Sequence, residues 1–446
     1  MHTSISARAR TIYERVESLR GRRFPPIDRI DDKAIAALSA WARAFAPGNP
    51  DALAARLAWD GLTPALVVAA LDAPADEVAP AWTAWLDAFA DAARMQAAAL
   101  RTSKVETFDV AYGEIWSAVV CAAHARIDPK LPALDRQLMR ELSALGDLAI
   151  DEAFSRYLEG VGIDRRTLTA DSSAHYRAFV LSALDGGLMD LWHAYPVLAH
   201  QTAIVAGGWI DATTELLQRV DADRSRIGDV LNGGVDPGPI VDVEPGLSDA
   251  HDGRRRVAVL HFANGLRVVY KPRDVEIERA FGTLADWLRA CGFDPFIRVS
   301  RVVSGNGYGW VEYAAHEAFD HASEAREYFR CAGALIFFTH LLGSRDLHME
   351  NVVATRSGPV VVDLELLLQP ELRGAAEGDA DQSCLRTGLL SLIEVGPGDE
   401  VFDVGGLRGS GRVPLAAARR TWRNGGTDAI AYVDETVAHA AVKNTV

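Results

Sequence analysis

The sequence predicts an α+β fold, with an all-helical first half and a β-rich second half. Three observations predict it. Up to about residue 230, apolar residues recur at spacings of three and four, the period of a helix with one buried face. After Asn232 the run NGGVDPGPIVDVEPGLSD carries too many glycines and prolines for a long helix and marks a boundary. Beyond it, short runs rich in β-branched and aromatic residues alternate with glycine turns.

In the first half, Thr63-Pro64 ahead of ALVVAALD is a helix start. The hydroxyl caps the first turn, and proline stands where no amide hydrogen is needed. Trp82, Trp85 and Phe89 keep helical spacing, as do Ile115, Trp116 and Val119, and such stripes read as core rather than as a ligand site. In the second half, VAVLHF and LRVVYK flank Asn264-Gly265, a hairpin signal. DVEIERAFGTLADWLRACG reads as a helix, and FIRVSRVVSGNGYGWVEYAAHE as two strands about a glycine turn. The helix EAREYFRCAGALIFFTHLL leads into the loop GSRDLHMEN, followed by VVAT, a short turn and VVVDLELLL.

Composition bounds the function. A chain of 446 residues, 49% hydrophobic and 24% charged, is large enough for two or three folded domains. Its net charge of −15 argues against nucleic acid or an anionic membrane surface as the main partner. Cys121, Cys291, Cys331 and Cys384 form no C-x-x-C pair, so neither a zinc cage nor a disulfide framework is expected. The charged amino terminus lacks the apolar run of a signal peptide, and no run of about eighteen apolar residues predicts a membrane span. A cytoplasmic location is expected.

Phosphoryl transfer from ATP needs a cation on the phosphates, oxygen ligands for Mg²⁺ and a carboxylate beside the attacking hydroxyl. Lys271, at the end of the hairpin's second strand, is the candidate cation. Asp346 and Asn351 lie five apart in DLHMEN, the spacing of the protein-kinase pattern H-R-D-x-x-x-x-N, with Asp346 as base and Asn351 as metal ligand. Asp363 closes the next hairpin, and Glu365, two residues on, points to the same side of an extended strand, so both can face one metal. The strand GWVEYAA, near Glu312 and Tyr313, stands where backbone donors for adenine are expected. Taken singly each of these is more often a turn residue or a solvated strand end; their order along the chain is what points to a nucleotide site. No G-x-G-x-x-G precedes Lys271, and Glu276 and Glu278 are both open as its ion-pair partner.

The segments D-x-H at Asp249 and His251, VVYKPRD, GYGWVEY, GSRDLHMEN, VVVDLELLL and DQSCLRTGLL resemble signatures of the dehydratase domain of class II (LanM-type) lanthipeptide synthetases. The resemblance implies a fold similar to lipid kinases. It implies ATP and Mg²⁺ used to phosphorylate Ser and Thr of a ribosomally made precursor peptide carrying a leader, then elimination of phosphate to dehydroalanine or dehydrobutyrine. On matched positions it assigns Lys271, Asp346, His348, Asn351, Asp363 and Glu365 to phosphorylation, and Asp249 and His251 to elimination. Family members carry further elimination residues and a zinc-dependent cyclase beyond the point where this sequence stops, so the chain reads as truncated and cyclisation is assigned to a separate cyclase.

On this reading residues 1–230 are the helical region, 231–248 a linker and 249–320 a β-rich kinase-like small lobe. Residues 321–446 are a helical second lobe, incomplete, with the catalytic loop and metal-binding hairpin. Two alternatives stand beside it: a small-molecule kinase of the aminoglycoside-phosphotransferase kind, and a non-catalytic peptide-binding remnant.

Overall fold

A computed structural model of the chain describes residues 2–19, 32–45, 49–72, 80–102, 108–128, 131–368, 383–391, 393–395, 401–407 and 416–438. The first half is helical as expected: α1 His2–Ala9, α2 Ile12–Leu19, α3 Asp32–Phe45, α4 Pro50–Trp59, α5 Pro64–Asp72, α6 Ala84–Thr102, α7 Gly113–His124, α8 Pro132–Gly160, α9 Ala174–Asp185, α10 Met189–Ala194 and α11 Pro196–Leu231. Helix α5 starts where the sequence said, with Leu66 N donating to Thr63 Oγ1 at 3.2 Å. Among the described residues no single helix is long and apolar enough to cross a membrane.

The chain divides into two compact units. One is Met1–Arg126, Leu138–Gly207 and Gly425–Ala429; the other is Ile127–Gln137, Gly208–Asn424 and Ile430–Val446. The first is a helical unit with Phe89, Ile115, Trp116, Val119, Phe154 and Trp192 fully buried. The aromatic stripes therefore are core, although Trp82 and Trp85 are only half-buried. Its interior also holds paired polar groups. Trp116 Nε1 donates to Asp147 Oδ1 at 2.6 Å, Tyr112 OH to Asp151 Oδ1 at 2.6 Å and Tyr176 OH to Glu114 Oε2 at 2.7 Å. Burial pushes the Asp147 carboxyl up to about 7, against the opposing pull of its Ser143 and Trp116 donors. Asp428 caps α9 from far along the chain: Oδ1 accepts from Tyr176 N at 2.7 Å and Oδ2 from Ser172 Oγ at 2.6 Å.

The second unit is built on a five-stranded antiparallel sheet. Its strands are β1 Ile240–Glu244, β2 Ala258–Phe262, β3 Arg267–Lys271, β4 Val302–Ser304 and β5 Gly309–Glu312, in the order β1-β2-β3-β5-β4. The β2–β3 hairpin turns at Asn264-Gly265, where Gly265 takes φ +91°, open to glycine at little cost. Residues 231–248, read as a linker, hold β1 instead; as an edge strand it tolerates the flanking Gly and Pro that spoil a helix. The end of α11 packs on this sheet. Asp223 accepts from Trp310 Nε1 at 2.9 Å, Tyr308 OH at 2.7 Å and Arg226 Nη1 at 2.8 Å. Burial works against the Asp223 carboxylate, but these three donors together hold it below the usual range.

Helix α12, Glu276–Ala290, follows β3, and α13, Ala322–Leu341, follows β5. After α13 the described residues form antiparallel hairpins rather than the helical lobe expected: β6 Val352–Thr355 with β7 Gly358–Val361, β8 Ile393–Val395 with β9 Val401–Asp403, and β10 Ala416–Arg423 with β11 Ala431–Ala438. In the first of these hairpins the reason is local, since Val-rich runs broken by Gly and Pro favour pleated pairs. A shared core ties the elements together. Phe281 and Ala285 of α12, Leu335 and Phe338 of α13, Leu347 of the loop, and Val352, Val361 and Leu364 of the hairpin are buried against one another.

Candidate active site

Strand β3 ends at Lys271, whose side chain is buried, with 4% of the residue exposed. An unpaired ammonium there would be costly. It is paired: Nζ lies 3.0 Å from Glu278 Oε1 and 3.7 Å from Asp363 Oδ1, and donates to the Val362 carbonyl at 2.5 Å. The partner left open by the sequence is thus Glu278. Glu276 points elsewhere, accepting from Arg279 Nε at 2.7 Å. Glu278 and Glu276 sit two apart on α12, so they face different sides of the helix, and only the tertiary packing selects one.

Arg273, a residue that the sequence reading did not single out, sits in the same cluster. Its Nη2 donates to Glu278 Oε1 at 2.8 Å and to Asp363 Oδ1, and its Nε lies 3.3 Å from Glu365 Oε2. Burial disfavours its charge, yet Glu278, Asp363 and Glu365 together raise its pKa above the ordinary arginine value. The available signal was the motif YKPRD itself, in which residues two apart on an extended segment share a side.

The loop carrying Asp346, His348 and Asn351 is held by its backbone. Leu347, 1% exposed, anchors it in the core between exposed Asp346 and half-buried His348; burying a leucine contributes about 2 kcal/mol. Leu347 N donates to Thr387 O at 2.9 Å, Met349 N to Val404 O at 2.8 Å, and His348 forms a bridge with Gly405. Segment 383–390, the described part of DQSCLRTGLL, thus braces the loop, while Asp381 and Gln382 lie outside the described residues. Asp346 adopts φ +67°, a left-handed conformation uncommon outside glycine and best tolerated by Asn and Asp. Asn351 Nδ2 donates to the Asp346 carbonyl at 2.7 Å, which fixes that turn and leaves Oδ1 as an acceptor. His348 Nδ1 accepts from Glu350 N at 3.2 Å, so its proton is on Nε2, 3.5 Å from Asp346 Oδ1.

Val362 N donates to Asn351 O at 2.9 Å, joining the loop to the hairpin that ends in Asp363. The structure therefore brings Lys271, Asp363 and Glu365 into one cluster, through Arg273, and sets Asp346, His348 and Asn351 in one braced loop bonded to its edge. Asn351, Asp363 and Glu365 are hard oxygen donors of the kind Mg²⁺ takes. Among the described residues, however, no three His, Cys, Asp or Glu side chains converge on a metal position; Asp363 and Glu365 turn to Arg273 instead.

The remaining expected residues lie apart from this cluster. Glu312 N donates to Arg301 O at 2.8 Å, and its carboxylate takes Arg301 Nη2 at 3.0 Å; burial raises its pKa, but Arg301 outweighs this and lowers it. Tyr313 carries the Arg267 guanidinium 4.0 Å over its ring. Asp249 and His251 are exposed on the connection from β1 to β2, and His251 N donates to Arg255 O at 2.9 Å. Neither side chain is hydrogen-bonded to the Lys271 cluster among the described residues.

The chain carries, in its second unit, the region related to the amino-terminal dehydratase region of class II (LanM-type) lanthipeptide synthetases. Residues 195–446 match the family described as a domain of unknown function, DUF4135, and the chain belongs to that family. A curated relative is the lacticin 481/lactococcin biosynthesis protein LcnDR2 of Lactococcus lactis subsp. lactis, 24% identical over 180 residues. The match covers 36% of this chain and 19% of the relative, so the chain corresponds to a minor part of that protein's length.

Proposed function

We propose that the second unit is a kinase-like core that binds ATP with Mg²⁺ and phosphorylates Ser or Thr hydroxyls of a ribosomally made precursor peptide. The observation that carries this reading is the buried Lys271 amine, paired with Glu278 and 3.7 Å from Asp363, beside a braced loop that presents Asp346. An amine held between two carboxylates is a cation pre-positioned for phosphate oxygens. Similarity to a lacticin 481/lactococcin biosynthesis protein favours a peptide over a small-molecule acceptor.

In this reading Asp346 accepts the proton of the peptide hydroxyl as its oxygen bonds to the γ-phosphorus, while the bond from phosphorus to the β–γ bridging oxygen breaks. His348, with its Nε2 proton toward Asp346, orients that carboxylate. Asn351 Oδ1, Asp363 and Glu365 would hold magnesium, which supplies charge neutralisation on the transferring phosphates. Lys271 binds the α and β phosphates, and Glu278 keeps its amine in place. Backbone donors for adenine would come from the end of β5 and the segment that follows it, near Glu312 and Tyr313. Asp249 and His251 are the candidates for the later elimination, as base and proton carrier. Their exposed position, with no hydrogen bond to the cluster among the described residues, favours phosphorylation as the step this chain performs.

The test is incubation with ATP, Mg²⁺ and a Ser/Thr-rich precursor peptide, followed by mass analysis. Gain of phosphate is expected. Net loss of water means that elimination proceeds as well, and an unchanged peptide mass with leader-bearing substrates contradicts the proposal.

A further inference from the structure

The cluster around Lys271 sets two cations against three carboxylates, and Arg273, rather than the lysine, touches all three. Lys271 and Arg273 both use the same oxygen of Glu278, Oε1; the other, Oε2, is buried with no hydrogen-bond partner among the described residues. The backbone under Arg273 is fixed on both sides. Pro272 locks its own φ, and Asp274 Oδ1 accepts from Glu276 N at 2.6 Å to start α12. The guanidinium is a long, partly exposed group on this rigid base, 26% accessible along its side chain, so it can change partners without moving its Cα.

Asp363 and Glu365, the carboxylates it holds, are the two assigned above to magnesium. A guanidinium and a divalent cation compete for the same carboxylate oxygens, and the planar fork of arginine fits phosphate as well as carboxylate. We propose that Arg273 is a positioning residue that holds Asp363 and Glu365 while no nucleotide is present and passes to the triphosphate when a metal takes those carboxylates. This rests on the reading of the site as one for ATP and Mg²⁺. The exchange keeps charge matched at each stage: without Arg273 the carboxylates would repel one another with Lys271 as their nearest cation, and with metal bound the displaced guanidinium meets phosphate instead.

The experiment uses the full chain and two probes, Mn²⁺ alone and a non-hydrolysable ATP analogue with Mg²⁺, each titrated calorimetrically. For Arg273→Gln, Mn²⁺ is expected to bind about tenfold tighter and the nucleotide about tenfold more weakly than in the wild type. Arg273→Lys keeps the charge and loses the fork, so Mn²⁺ affinity stays near the wild-type value while the nucleotide still weakens. A merely structural ion pair predicts equal weakening of both probes in Arg273→Gln, and that result, or unchanged affinities in both variants, overturns the proposal. Should Arg273→Gln fail to fold, Arg273→Lys decides: an unchanged nucleotide affinity overturns it. A wild-type chain that binds no nucleotide overturns the proposed function and this inference with it, whereas wild-type binding untouched by either variant overturns the role of Arg273 alone.

Discussion

The Lys271 amine lies 3.7 Å from the Asp363 carboxylate, joining the end of β3 to the hairpin that follows the DLHMEN loop. Both groups are held by others: Lys271 by Glu278 and the Val362 carbonyl, Asp363 by Arg273. Removing the amine therefore touches folding as well as chemistry. Lys271→Met leaves Glu278 buried with less compensation, and a stability loss of about 3 kcal/mol in denaturant unfolding is expected. A variant as stable as the wild type would mean that Arg273 alone neutralises the pocket.

Asp346 is exposed and its backbone conformation suits asparagine equally well. Asp346→Asn is thus expected to keep the melting temperature within about 2 °C of wild type, since surface changes usually stay within 0.5 kcal/mol. Peptide phosphorylation is expected to fall by about 10²–10⁴-fold, the usual contribution of a general base. Unchanged phosphorylation removes Asp346 from that role.

The brace behind the loop offers a steric test. A Cβ on Gly406 would meet Leu347 O at 2.2 Å, whereas one on Gly425 would meet nothing within 4 Å. Gly406→Ala is expected to destabilise the protein by about 1–3 kcal/mol and to lower any activity that depends on Asp346, because the loop must shift to make room. Gly425→Ala is the control, expected within about 0.5 kcal/mol of wild type. Thermal unfolding of the pair compares them.

The helical unit carries its own pH signature. Burial raises Asp147 to about 7, so the folded state keeps a proton that the unfolded chain releases near its ordinary value. The unfolded state binds fewer protons across that window, so stability falls as pH rises from about 4 to about 7, by an amount on the order of 4 kcal/mol. Asp147→Asn retains an acceptor for Trp116 Nε1 and is expected to flatten this slope. Denaturant midpoints at several pH values give the comparison, and an unaltered slope in the variant contradicts the assignment.

What the sequence made legible was local. Thr63-Pro64 and Asn264-Gly265 specify a helix start and a hairpin turn through their own backbone chemistry, and both stand where expected. The loop spacing of Asp346 and Asn351 also needs no tertiary knowledge, because the Asn351 side chain bonds back to the Asp346 carbonyl. Choices made by packing were hidden. Glu278 rather than Glu276 meets Lys271 because of how α12 lies against β3, and Arg273 meets Asp363 only once the hairpin has folded. Asp428 capping α9 depends on contacts between residues 252 apart. Strand β1 was hidden because Gly and Pro on both sides mask the short run IVDVE, which its pairing with β2 holds as a strand.

The most direct measurement is a calorimetric titration of the full chain with a non-hydrolysable ATP analogue and Mg²⁺, repeated with Lys271→Met and Asp363→Asn. One nucleotide site in the wild type, weakened at least about tenfold in each variant, is the predicted result. Absence of binding to the wild type, or binding of equal strength in all three proteins, would contradict the account.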